Sequence, residues 1–289
     1  MLCVLGSLVN KMKITVFSSG SSGNCSLLQT EHLNILIDVG ITKKNIEQNL
    51  IEYSLTLNNI DAIFITHEHI DHIKAFNSLL KYENAKIYMT YGTYKFILDN
   101  NEVKNTKLFE LMRKRKDDGS IIILNRLSNT IFYESVSLFN LKVDVLPTFH
   151  DASESVGFVF EEGQKKMVYI TDTGYVHQSL YDRISNADAY VLESNHDPSI
   201  LMHSSRPYAL KLRIISNHGH LSNEDSMVTL AHIIGPKTKL VMHAHISQEC
   251  NLTNIIELTR KKVLDDYGID YSQIEFVFTS VNPSKEYEI

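Results

Sequence analysis

The segment AIFITHEHIDH at residues 62–72 constrains what this chain can fold into more than any other part of the sequence. Its first half is apolar and β-branched, which predicts a short buried strand. Three histidines and an aspartate follow where the strand ends and a loop begins. In an extended chain, residues i and i+2 project to the same side, so His67 and His69 can reach one cation. After the loop turns, Asp71 and His72 can reach a second cation.

The residue types of this segment favour a catalytic metal site over a structural one. Imidazole nitrogens and carboxylate oxygens suit Zn²⁺ and similar divalent cations. A structural zinc finger is excluded because the sequence has no cysteine pairs: Cys3, Cys25 and Cys250 lie far apart. Their odd number also argues against a disulfide framework, so a reducing, cytoplasmic compartment is expected.

The rest of the sequence alternates short β-branched runs with amphipathic stretches, which predict strands and helices respectively. The predicted strands are residues 13–17, 24–29, 34–38, 62–66, 86–90, 143–147, 156–161, 167–171, 189–193, 239–243 and 275–278. The predicted helices are residues 43–51, 73–81, 224–233 and 252–267. Strands that cluster in two halves, each followed by helices, predict an α/β fold with two packed sheets and helices outside.

Residues 1–11 contain a short apolar stretch whose lysine comes after it, with no cleavage site, which is not the pattern of a signal peptide. We expect a disordered extension there and a single domain over residues 12–289. No window approaches the roughly 20 apolar residues of a membrane span, so no membrane partner is expected.

The net charge of −6 gives no global attraction to nucleic acid, so binding to nucleic acid would need a local basic patch or a metal. The run RKRK at residues 113–116 is either such a patch or a solvated helix face.

A buried strand followed by HxHxDH resembles the signature of the metallo-β-lactamase superfamily. That fold is an αββα sandwich of mixed sheets with helices outside and a dinuclear metal site at one edge of the sheets. The resemblance implies three further ligands after later strands: His150 in LPTFHD, Asp172 in YITDTG and His245 in LVMHAH, with His243 as the less favoured choice. It implies that His67, His69 and His150 hold one cation, that Asp71, His72 and His245 hold the other, and that Asp172 bridges them.

Four further segments are similar to the YycJ/WalJ branch of that superfamily. They are FSSGSSGNCS at residues 17–26, ESNHD at 193–197, SNHGHLSN at 216–223 and HISQECN at 245–251. The resemblance implies a nuclease, with 5′→3′ exonuclease activity on double-stranded DNA. It also implies DNA as the binding partner. The oligomeric state is left open.

The implied chemistry uses two divalent cations, with Zn²⁺ expected ahead of Mn²⁺ and Fe²⁺. Such a pair holds a bridging hydroxide that attacks a phosphodiester, and Asp71 and Asp172 would orient it as catalytic residues. His218 and His220 lie before the predicted helix at residues 224–233. Each either binds the phosphate or protonates the leaving group, or is a hydrogen-bonded histidine of a capping loop.

Several residues around these segments are candidates for a supporting role. Glu193 and Asp197 could orient metal-bound imidazoles, and His196 either faces the site or supports a ligand. The Gly/Ser run at residues 18–24 predicts a tight turn that could also line the site through Ser22 and Asn24.

Other functions compatible with the same ligands stay open at this point. An RNA-processing nuclease is the nearest alternative, although no long inserted arm for tRNA is visible. Hydrolysis of a small ester, thioester or lactam is a second alternative. His72 and the segment HGHLSN at residues 218–223 favour a phosphodiester substrate over these small substrates. A non-catalytic binding module is disfavoured because all seven candidate ligands are present.

Overall fold

The computed structural model describes residues 12–289, so the predicted extension at residues 1–11 lies outside the described part of the chain. The strands are β1 (Lys13–Ser18), β2 (Cys25–Gln29), β3 (Asn34–Ile37), β4 (Ala62–Phe64), β5 (Lys86–Thr90), β6 (Ile121–Leu124), β7 (Val136–Leu138), β8 (Leu141–Pro147), β9 (Val156–Glu162), β10 (Lys165–Ile170), β11 (Ala189–Glu193), β12 (Leu240–Ala244), β13 (Glu275–Phe278) and β14 (Tyr287–Glu288). The helices are α1 (Lys43–Glu52), α2 (Ile70–Ile73), α3 (Phe76–Leu79), α4 (Tyr91–Lys104), α5 (Thr106–Asp117), α6 (Tyr181–Ile184), α7 (Pro198–His203), α8 (Tyr208–Ile214), α9 (Asn223–Ile233) and α10 (Thr253–Asp266).

The strands form two seven-stranded sheets. The first has the order β14-β1-β2-β3-β4-β5-β6 and the second has the order β13-β12-β11-β10-β9-β8-β7. Strands β3 to β6 are parallel, as are β10 to β13, and the remaining pairs in each sheet are antiparallel. Both sheets are therefore mixed, as predicted.

Alternating side chains divide the core into three apolar layers. Phe64 on β4 packs between the sheets, where its ring centroid lies 5.2 Å from that of Phe158 and 5.6 Å from that of Phe160. Its neighbour Ile63 points to the opposite face and packs under the helices of the first half. Val168 on β10 packs in the same way against the helices of the second half. Because successive residues of a strand face opposite sides, the sequence pattern buries both faces of each sheet and gives the αββα order of layers.

The helix predicted over residues 73–81 is wrong in its bounds, because the chain forms two shorter helices there, α2 and α3. The carbonyl of Asp71 accepts a hydrogen bond from the Asn24 N–H at 2.7 Å. The Ala75 N–H, which would bond to Asp71 in a continuous helix, bonds instead to the Val39 carbonyl at 2.9 Å. The break thus ties the histidine segment to two loops of the first sheet.

The basic run at residues 113–116 lies on α5 and does not form one exposed patch. Arg115 is buried and its guanidinium donates to the carbonyl oxygens of Leu80, Tyr82 and Ala85. Ala85 immediately precedes β5, at the opposite end of the parallel strands from the histidine segment. Arg115 therefore has a structural role, and only its neighbours are free to contact a partner.

Two further observations bear on the expected compartment and partners. Cys25 and Cys250 are both buried free thiols, and Cys3 lies outside the described residues. None of the helices within residues 12–289 combines the length and the apolar composition that crossing a membrane requires.

The carboxyl ends of the parallel strands bring the chemically distinctive residues to one edge of the sandwich. In the first sheet these are the ends of β3 and β4. In the second sheet they are the ends of β10, β11 and β12, and also of β8, which is antiparallel to β9 and so runs in the same direction as β10. Loops at the carboxyl ends of parallel strands are the usual place for a functional site in α/β proteins.

Candidate metal centre

Three histidines from the two sheets meet in a first group. His67 and His69 follow β4, and His150 follows β8. One ligand atom from each lies within 4.8 Å of the others. The ring centroids are 4.6 Å apart for His67 and His69, and 5.1 Å and 5.0 Å from each of these to His150. The spacing suits three ligands of one cation.

A second group lies directly beside the first. Asp71 and His72 on α2 meet His245, which follows β12, and their ligand atoms also lie within 4.8 Å of one another. Asp172, which follows β10, lies within the same distance of His67 and His72 on one side and of His245 on the other. The structure thus brings all seven predicted ligands together, with Asp172 between the two groups.

Four of the histidines are oriented by a partner on Nδ1. The contacts are His67 with the Thr66 hydroxyl at 3.0 Å, His72 with Asp38 Oδ2 at 2.7 Å, His150 with the Gly219 carbonyl at 2.9 Å and His245 with Glu193 Oε1 at 3.1 Å. An imidazole whose Nδ1 donates a hydrogen bond keeps the lone pair of Nε2 available for a cation. The partners therefore select the tautomer that a metal site requires.

Unpartnered polar atoms show that the residues present fit a pair of cations. Within residues 12–289, His67 Nε2, His245 Nε2 and Asp172 Oδ2 are buried and have no hydrogen-bond partner. Burying such an atom unsatisfied costs about 1–3 kcal/mol. Two divalent cations, one bound by His67 and the other by His245, with Asp172 between them, would satisfy all three atoms, and nitrogen and carboxylate donors suit Zn²⁺, Mn²⁺ or Fe²⁺.

Two histidines of the first group, His67 and His150, are kept neutral by their surroundings. Burial lowers the pKa of His67 well below its ordinary value, and the neighbouring His72 lowers it further. Burial is also the main reason that the pKa of His150 is lowered. Both rings are therefore unprotonated at neutral pH and ready to bind a cation.

The second group has the opposite electrostatics. Burial opposes the protonation of His72 and His245, but nearby carboxylates outweigh it. The pKa of His72 is raised well above its ordinary value by Asp38 and Asp172, and that of His245 is raised to about 10 by Asp172, Asp71 and Glu193. Burial alone would raise the pKa of Asp172, yet His245 and His72 hold it well below its ordinary value. Without a cation, protons on His72 and His245 balance the negative charge of these carboxylates. A bound cation can balance the same charge in their place.

Three residues at the centre have a backbone conformation that is uncommon outside glycine. Asp38, Asp172 and His245 have φ angles of 57°, 55° and 52°, and each follows directly, or one residue later, on the end of a strand. The left-handed region is disfavoured for residues with a Cβ atom and is often retained at functional sites. The sharp turn it produces directs each side chain into the centre.

The predicted catalytic and supporting residues divide into those near the centre and those away from it. His220 Nδ1 lies 2.8 Å from Glu193 Oε1, and its ligand atom belongs to a group with Asp172 and His245. His218 is exposed, and the structure does not bring it to the centre. The alternative ligand His243 lies on the other face of β12, buried against Phe276 and Phe278.

Among the supporting residues, Glu193 lies where it can orient imidazole rings, since it contacts both His220 and His245. Asp197 does not, because its carboxylate caps α7 by accepting the Ile200 N–H at 2.8 Å. His196 is buried and belongs to none of the candidate ligand groups in residues 12–289.

Two residues that hold the centre together were missed by the sequence reasoning. Asp38 is fully buried and accepts hydrogen bonds from the Thr66 N–H at 2.8 Å and from His72. The signal for it was an aspartate directly after the apolar strand ILI. Ser19 accepts the His245 N–H at 2.8 Å, and nothing in the sequence separates it from the other serines of that turn. Asn24, which was anticipated, lies 3.0 Å from His72 Nε2, whereas Ser22 is exposed.

Comparison with known proteins gives a family and several relatives. A family model described as the Beta-lactamase superfamily domain matches residues 33–244. Exodeoxyribonuclease WalJ of Streptococcus pneumoniae serotype 2 is 32% identical over 247 residues, which cover 86% of this chain and 86% of the relative. Exodeoxyribonuclease YycJ of Bacillus anthracis is 28% identical over 260 residues, which cover 89% of this chain and 90% of the relative.

Solved structures with the same fold are more distant in sequence. The metallo-β-lactamase fold protein YhfI from Bacillus subtilis matches with a TM-score of 0.65 and 15% identity, covering 96% of this chain and 100% of that one. Zn²⁺-bound PqqB from Methylobacterium extorquens matches with a TM-score of 0.63 and 17% identity, at the same coverage. These likenesses confirm the expected fold and carry no information on substrate.

Proposed function

The chain belongs to the metallo-β-lactamase superfamily, in its YycJ/WalJ branch, and from this premise we propose that it is a two-metal 5′→3′ exonuclease acting on double-stranded DNA. The names of the two curated relatives support a metal-dependent nuclease. Strand polarity and the preference for duplex DNA rest on the resemblance of the four segments described above.

The observation that carries the proposal is the pair of three-ligand groups with Asp172 between them. We assign His67, His69 and His150 to one cation, Asp71, His72 and His245 to the other, and Asp172 to both. When bound, two such cations neutralise phosphate charge and lower the pKa of a bound water molecule. Zn²⁺ is the expected metal, with Mn²⁺ and Fe²⁺ as alternatives.

His220 is the residue we assign to the leaving group. Its Nδ1 donates to Glu193, which is itself fixed because its other oxygen, Oε2, accepts the Thr173 N–H at 3.0 Å. With Nδ1 held by Glu193, the other ring nitrogen, Nε2, is the one that can carry a proton to the leaving group. His220 also lines the cavity that opens beside the centre, so this proton can be given to a departing oxygen there.

The direct test is a panel of substrates with protein reconstituted with Zn²⁺ or Mn²⁺. The substrates are duplex DNA labelled at either end, single-stranded DNA, structured RNA, a thioester and a lactam. We expect mononucleotides to be released from the 5′ ends of the duplex. Cleavage of RNA, the thioester or the lactam while DNA stays intact would contradict the proposal.

The role of His220 is tested by His220→Ala with His218→Ala as the matched control from the same loop. Loss of a general acid should lower turnover of DNA about 10²–10⁴-fold. It should affect a nitrophenyl phosphodiester much less, because nitrophenolate leaves without protonation. Both cations should remain bound, and His218→Ala should behave as wild type. Loss of a cation from His220→Ala would make His220 a ligand instead.

A further inference from the structure

A cavity of about 180 Å³ opens between the metal centre and α8. His150, His220 and His245 form the wall that it shares with the centre. The outer wall includes Arg206, in the loop before α8, and Arg213, in its last turn. A ligand in this cavity therefore lies next to the residues assigned to the reaction while facing two guanidinium groups.

The two arginines are held in the same way. Arg206 Nε donates to Glu249 Oε2 at 3.0 Å, and Arg213 Nε donates to Asp151 Oδ2. Each guanidinium plane is thus oriented by a carboxylate at one nitrogen. Within residues 12–289 the terminal Nη nitrogens of both side chains form no hydrogen bond, so they are available to a ligand. Asp151 also lines the cavity, but Arg213 balances its charge.

Size and charge together define the ligand. The cavity is smaller than the about 300–1,000 Å³ of pockets that enclose drug-sized molecules, so it has room for a phosphate group but not for a whole nucleotide. Paired Nη donors match the oxygens of a phosphate. A terminal phosphate suits a small pocket better than an internal one, because no strand continues beyond it.

We propose that this cavity binds the 5′-terminal phosphate of the DNA substrate through Arg206 and Arg213. This inference rests on the proposed exonuclease function and gives it an end-recognition site. With the terminal phosphate in the cavity, the next phosphodiester along the strand faces the adjoining metal centre. The enzyme would then distinguish a 5′-phosphorylated end from a 5′-hydroxyl end.

The test compares kcat/KM on three duplexes of one sequence, with a 5′-phosphate, with a 5′-hydroxyl, and with a 3′-phosphate and a 5′-hydroxyl. Wild type should prefer the 5′-phosphate about tenfold or more, because a hydrogen bond between charged groups is worth at least that factor. The double variant Arg206→Gln/Arg213→Gln should bring the ratio close to one. The control Arg113→Gln/Lys114→Gln removes two exposed charges from α5 and should keep the wild-type ratio.

The outcomes separate this inference from the function it rests on. If wild type degrades duplex DNA with equal kcat/KM on all three ends, or prefers the 3′-phosphate, the phosphate site is wrong and the exonuclease stands. If wild type degrades no DNA, both are wrong. If the double variant keeps the preference, the arginines are not the phosphate ligands. Should that variant melt early, Arg213→Lys, which keeps a charge opposite Asp151, replaces it and must show a reduced preference.

Discussion

Replacing Asp38 by asparagine should weaken the binding of one of the two cations. Asp38 is fully buried, and its Oδ2 lies 2.7 Å from His72 Nδ1. If the asparagine amide nitrogen takes that position, two donors face each other, and the neutral ring that a cation requires then keeps its one proton on Nε2 rather than on Nδ1. The lone pair needed by the cation is then lost. Removing such a supporting partner typically lowers metal affinity 10–100-fold, which is about 1.4–2.7 kcal/mol.

Competition titration with a chromophoric chelator, together with elemental analysis, measures this effect. Wild type should bind two cations, and Asp38→Asn should retain the one on His67, His69 and His150 while the other weakens. Asp188→Asn is a matched control. Asp188 is also nearly buried, but it precedes β11 at the far end of the strands, where it accepts the Lys166 N–H at 2.9 Å. It should leave both affinities unchanged.

Two results would refute this reasoning. Two cations bound as tightly by Asp38→Asn as by wild type would mean that the carboxylate does not set the tautomer of His72. Equal weakening of both cations would mean that the two ligand groups do not act as separate sites. Thermal melting of each variant checks that the loss is local.

Three further outcomes are expected. Cation binding should release protons, because His72 and His245 are protonated at neutral pH and must lose a proton to bind a cation. Cation affinity should therefore rise with pH. Calorimetry in buffers of different ionisation enthalpy measures the protons released, and a value of zero would contradict this prediction. Gly40→Ala should destabilise the fold by about 1–3 kcal/mol or more and impair cation binding, because the new Cβ would lie 1.6 Å from the Asp71 carbonyl oxygen. A variant with the same denaturation midpoint and the same cation affinity as wild type would contradict this prediction. Arg115→Met should lower the free energy of unfolding by at least about 2 kcal/mol and leave cation affinity intact, as denaturant titration with a metal titration would test.

Patterns that are local in sequence predicted much of the fold. Strands β1 to β5 and β8 to β13 follow apolar or β-branched runs, and their predicted bounds differ by at most two residues from those observed. Between residues 91 and 138 the sequence patterns predicted no strand and no definite helix, and the run at residues 113–116 was compatible with either a basic patch or a solvated helix face. This region holds α4 and α5, and α4 has only a weak separation of apolar and polar faces. Its burial is decided by contact with the first sheet rather than by its own periodicity.

The candidate site shows the same division between local and distant information. The histidine segment is local, so spacing alone predicted that His67 and His69 could share a cation. Positions such as His150, Asp172 and His245 came only from the resemblance to a family, because nothing in their own surroundings marks them as ligands. Asp38, Ser19 and the arginines of the cavity come together only by folding.

The sequence by itself determined which stretches are strands and where divalent-cation ligands enter the chain, because both depend on neighbours within a few residues. Only the tertiary structure decided which imidazole nitrogen faces the centre, which acid supports it and which charges surround the adjoining cavity. Those features depend on residues such as Asp38 and His72, or Glu193 and His245, that lie 34 and 52 positions apart and touch only at the common edge of the two sheets. Hydrogen bonding and burial act over a few ångströms in space, so they cannot be read from residues that are distant along the chain.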